Sequence, residues 1–91
     1  MHTITVKKGE ETITIELREP TFEELSEAFI ALTNSKSGLN YAAAGRVLIR
    51  TCGDYSKPGM DIVLKHPKIE FSAALKAAEL VTIFEADLKK N

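Results

Sequence analysis

From Thr3 to Leu17 apolar and polar side chains alternate. Ile4 and Val6 mark one run, Ile13, Ile15 and Leu17 the next, with threonine, lysine and glutamate between them. Period-two patterning in β-branched residues predicts two half-buried strands. Lys8-Gly9-Glu10-Glu11 separates the runs, and Gly9 can supply the positive φ of a tight turn, so the strands are expected to form an antiparallel hairpin. An isolated hairpin is marginal in water, so its apolar face needs helices to cover it.

At Leu17 to Leu25, LREPTFEEL, the period changes. Pro20 restricts Glu19 to extended geometry, and Thr21 followed by Glu24 matches a capping box, so a helix is expected from Phe22. Leu25, Ala28, Phe29 and Leu32 then recur at helical spacing and are expected to face inward. On that reading Phe29→Ala is a core deletion costing about 3–5 kcal/mol. Thr33 to Asn40 is rich in loop formers, and Asn40 can cap a second helix from Tyr41 to about Cys52. Tyr41, Ala44, Val47, Leu48 and Thr51 form its expected inner stripe, and Gly53 its left-handed C-terminal cap. Gly45, unfavourable in mid-helix, points to a close approach of another backbone. Asp54 to Pro67 contains the Pro58-Gly59 turn signal and a short apolar run, read as a brief helical segment. After Pro67, the residues Phe71, Ala74, Leu75, Ala78, Val81, Phe84 and Leu88 follow a helical stripe for about five turns, and Lys89-Lys90 suit its negative end. The expected architecture is α+β, an N-terminal antiparallel hairpin followed by about three helices packed on it, in a single domain over residues 1–91.

Composition supports one small folded domain. Of 91 residues, 44% are apolar and 27% charged, which separates the chain from disordered sequences. Twelve basic against thirteen acidic residues give a net charge of −1, which offers no general attraction for nucleic acid or anionic lipid. A single cysteine excludes an internal disulfide and fits a reducing cytosol. The opening MHTITVKKGE has no apolar h-region, and no run approaches a membrane span, so a soluble intracellular protein is expected.

Little in the sequence points to catalysis. His2 and His66 stand outside any ligand pair, and metal binding would need carboxylates at unrecognisable spacing. Cys52 with His66 is a conceivable nucleophilic pair, but Cys52 ends an apolar helix, where cysteine behaves as a small hydrophobe. Asp54 and Asp61 beside a turn, and Glu23, Glu24 and Glu27 in the first helix, read as solvated or dipole-complementing carboxylates. Phosphate-cradling glycine motifs are absent. No catalytic, cofactor-binding or metal-binding residue is therefore assigned. Arg46 and Arg50, one turn apart, read as exposed charge or a partner contact rather than a phosphate site. Arg18 and Glu19 have no local structural need, and with Arg46 and Arg50 they are the candidate partner-binding residues.

Ile15, Leu17, Arg18, Glu19, Pro20, Thr21 and Leu25 resemble the "I-x-L-R-E-P-T" junction of the small tail assembly chaperones of long-tailed bacteriophages and prophages, and the order of elements is similar over most of the chain. The resemblance implies a non-enzymatic protein of the bacterial cytoplasm, without cofactor, that binds the tape measure protein, helps recruit the tail tube protein and self-associates along the tape measure. The alternative is a small intracellular adaptor or regulatory subunit unrelated to phage.

Overall fold

The computed structural model describes residues 1–34, 36 and 38–81. Strands β1 (His2–Lys8) and β2 (Glu11–Leu17) pair antiparallel, with Ile4 opposite Ile15 and Val6 opposite Ile13. Gly9 turns the chain between them at φ 65°, the left-handed region glycine enters without a Cβ penalty. Strand alternation puts Ile4, Val6, Ile13, Ile15 and Leu17 on the buried face and Thr3, Thr5, Thr12 and Thr14 in water. The outer edge of β2 is occupied at its C-terminal end: Leu17 forms an isolated bridge with Gly53, the Asp54 N–H donates to the Glu16 carbonyl at 2.8 Å, and the Arg18 N–H donates to the Cys52 carbonyl at 3.0 Å. Along β1, the Lys76 ammonium donates to the Thr5 carbonyl.

Four helices follow: α1 (Phe22–Thr33), α2 (Tyr41–Cys52), α3 (Pro58–Lys65) and α4 (Pro67–Ala77). The α+β architecture is the expected one, and the segment after Asp54 is helical. The capping box at α1 is complete, with the Glu24 N–H donating to Thr21 Oγ1 at 3.2 Å and the Thr21 N–H to Glu24 Oε1 at 2.9 Å. Asn40 Oδ1 accepts the Ala43 N–H at 3.0 Å and starts α2. Pro58 and Pro67 open α3 and α4, where a missing N–H leaves no intrahelical bond unmade. α2 packs against both α1 and α4, while α4 rests on β1 and α3 on β2. One apolar cluster runs through all six elements; each fully buried Leu48, Ile49 or Val63 contributes roughly 1.5–3 kcal/mol.

Several of the expected inward residues face water, the phenylalanines of α1 and α4 among them. α2 buries Ala44 and Leu48 as expected, with Gly45, Ile49 and Cys52, leaving Thr51 and Tyr41 exposed; α4 buries Ala73, Ala74 and Ala77 while Phe71 and Leu75 face water, and Ala78 and Val81 are buried beyond its end, as expected. In α1, Ala28 and Leu32 are buried, but Phe29 is 50% exposed and is not a core residue. For α4 the cause lies at its seam with α2. A Cβ at Gly45 would sit 1.7 Å from the Ala74 carbonyl oxygen, so the two backbones meet where neither carries bulk. That approach selects the alanine stripe of α4 and turns its phenylalanine outward. Gly53 is extended (φ −68°, ψ 147°) rather than left-handed, because it leaves α2 directly into the bridge with Leu17. α4 gives way to a turn at Ala78; the expected Phe84, Leu88 and Lys89-Lys90 continuation lies outside the described residues.

Candidate partner-binding surfaces

Arg18 leaves β2 at the point where three elements meet. Its guanidinium grips Glu24 in α1 through two bonds, 2.7 Å and 2.5 Å, and donates to the Thr51 carbonyl in the last turn of α2 at 3.0 Å. A planar fork matches a carboxylate in this way and also satisfies a free helix-end carbonyl. The Arg18 hydrogen bonds, then the Thr21 backbone N–H, hold the Glu24 carboxyl at about 2, far below its ordinary range. Glu19 reaches back to His2 Nε2 at 2.7 Å and ties the first strand to the same junction. Arg18 and Glu19 therefore do have structural partners, which spacing along the chain could not reveal because His2 and Thr51 are distant in sequence. Both side chains keep a wet side, at 50% and 78% exposure.

Arg46 and Arg50 converge on one acid. Arg50 places Nε and Nη2 at 3.1 Å and 3.0 Å from Glu70 Oε2, and Arg46 Nε stands 3.5 Å from the same oxygen. Glu70 was not anticipated. It sits on the buried stripe of α4 with Ala73, Ala74 and Ala77, and an acid interrupting an alanine stripe opposite an i, i+4 arginine pair was the available signal. Two guanidinium groups against one carboxylate leave a positive charge. They line an open groove of about 560 Å³ with Asn40, Ala42, Ala43, Leu64, Pro67 and Phe71. The groove thus combines alanines, an exposed phenylalanine and arginine donors in excess of their one carboxylate. A second, smaller groove of about 320 Å³ runs between β2 and the start of α3, with Lys57 3.6 Å from Glu16.

Cys52 and His66 have separate surroundings. Cys52 is buried in the core, and burial pushes its thiol up, the opposite of what an activated nucleophile requires. His66 Nδ1 lies 2.8 Å from the Ile62 carbonyl, closing α3. Among the described residues no three His, Cys, Asp or Glu side chains gather to hold a metal, and no helix is long and apolar enough to cross a membrane.

The apolar groups on the outside are the other prominent feature. Phe22 (79% exposed), Phe29 and Ile30 stand on α1, and Phe71 and Leu75 on α4. Comparison of the chain with protein-family models, curated proteins and solved structures gives no match to any of them.

Proposed function

We propose that the protein is a non-catalytic tail assembly chaperone of a long-tailed phage or prophage, acting in the bacterial cytoplasm. It binds the tape measure protein and assists recruitment of tail tube subunits. The observation that carries this reading is the exposure of large apolar side chains on two helices: α1 buries Ala28 and Leu32 while Phe22, Phe29 and Ile30 stand outside, and α4 buries Ala73, Ala74 and Ala77 while Phe71 and Leu75 stand outside. Large exposed apolar side chains concentrated on helices favour contact with other apolar surface. The resemblance of Ile15 through Thr21 to the chaperone junction supplies the identity of the partner. Reversible cover of long apolar helices on the tape measure protein keeps them in solution until tube subunits replace the chaperone.

Co-expression with a tape measure protein encoded beside this chain is the test. Co-purification and a rise in soluble tape measure protein are expected. Failure of both would sink the reading, and capture of a folded globular protein instead would favour an adaptor.

A further inference from the structure

The hairpin has two outer edges, and they are covered unequally. β2 meets Gly53 and Asp54 at its C-terminal end, and farther along Gly59 of α3 lies so close to the Thr14 carbonyl that a Cβ there would collide with it. On β1 the element packed besides β2 is α4. In an antiparallel pair successive residues aim their backbone groups alternately at the partner strand and away from it. The Thr5 carbonyl takes its bond from Lys76, outside the hairpin, so Thr3, Thr5 and Lys7 are the residues whose N–H and C=O groups point outward. Among the described residues the N–H groups of all three, and the Thr3 and Lys7 carbonyls, meet no hydrogen-bond partner. The edge is also basic. Lys7 stands on the water face of β1 and Lys76 lies over its middle, and among the described residues neither has an ion-pair partner. Ile69, two turns before Lys76 on the same side of α4, is only partly covered and offers apolar surface beside the edge.

We infer that the outer edge of β1 is a strand-addition site for an extended acidic segment of a partner protein. An incoming backbone N–H replaces the Lys76 ammonium at the Thr5 carbonyl, carboxylates on one side of the added strand stand beside Lys7, and apolar side chains on its other side fall toward Ile69. Main-chain bonds supply the attachment, and the two lysines select the sign of the charge. A second copy of this chain fits poorly: its β1 would set lysine against lysine, and its β2 edge is already covered. The site uses none of the exposed helix residues that carry the proposed chaperone role, so each can fail without the other.

Amide-exchange NMR of the full chain with a synthetic peptide tests the inference. The probe is a capped peptide alternating valine with glutamate, seven residues long like β1. With peptide in excess, exchange at the Thr3, Thr5 and Lys7 amides should slow about tenfold or more, while Thr12 and Thr14 keep their rates. The same peptide with lysine for glutamate should bind about tenfold more weakly, and Lys7→Glu should reverse that order. Lys7 has no ion pair to lose, so this variant should keep its thermal transition. Methylating the peptide's backbone nitrogens should abolish binding, because the added strand then has no donors. Unprotected β1 amides, equal binding of the two peptides, or binding that survives methylation would each overturn the inference. Protection that appears without peptide and grows with protein concentration would assign the edge to a second copy and overturn it as well.

Discussion

The molecule contains two arginine–glutamate sites that differ in how fully they are closed. At the strand-to-helix junction one arginine meets one carboxylate in a bidentate fork, and its remaining donors reach the Thr51 and Glu19 carbonyls. In the groove two arginines share one oxygen of Glu70, so charge and donors are left over. The first arrangement holds β2, α1 and the end of α2 together. The second holds α2 to α4 and leaves positive charge facing solvent. The same residue types thus form a closed fastening in one place and an open, charged one in the other, according to whether cation and anion are balanced.

The open site depends on the seam beneath it, and the largest expected effect comes from spoiling that seam. Gly45→Ala should destabilise the fold by about 2–3 kcal/mol in urea titration despite alanine's better helix propensity, since the new methyl meets the Ala74 backbone rather than a movable side chain. An unchanged midpoint would mean that the two helices slide apart freely. Glu70→Gln should lower stability by about 1 kcal/mol, modest because both arginines are half exposed, and should strengthen binding of small anions in the groove. If stability instead rose, the acid would be a liability tolerated for the groove's sake.

The closed site should show itself through pH. Glu24 loses its proton at about 2 when folded against an ordinary 4.5, so between those values the unfolded chain binds more protons than the folded one. The stabilisation is complete above pH 4.5 and is lost as pH falls toward 2. Glu24→Gln should therefore flatten that acid limb of the melting temperature, and an unaltered slope would remove the Arg18–Glu24 fork as its source. The smallest effect is expected at Phe29→Ala, under about 1 kcal/mol because the ring is half exposed. A loss of the 3–5 kcal/mol typical of a core phenylalanine would place the ring inside after all.

The parts of this fold that could be read from sequence are those fixed by near neighbours. Alternation gave the hairpin, Gly9 its turn, and Thr21, Glu24 and Asn40 the helix starts, because each signal lies within four residues of its effect. The choice of helix face could not be read in that way. α1 and α4 each place alanine inside and phenylalanine outside, whereas hydrophobicity alone ranks phenylalanine above alanine. In α4 packing decided otherwise, because Gly45 of α2 allows a backbone approach that only the alanine stripe accommodates. Arg46 and Arg50 were identifiable as a pair, but their shared partner Glu70 lies 20 or more residues on, beyond any local pattern. Arg18 and Glu19 stood out because nothing nearby explained them, and their partners prove to include residues up to 33 positions away.

Lys76 lies over the Thr5 carbonyl, and the two are 71 residues apart. During synthesis from the N-terminus the hairpin therefore leaves the ribosome long before its guard exists. At about 5–20 residues per second, the outer rim of β1 waits roughly 4–14 s for the lysine that will cover it. Through that interval the young chain is open to strand pairing with its siblings on the same messenger, and slower translation lengthens the exposure.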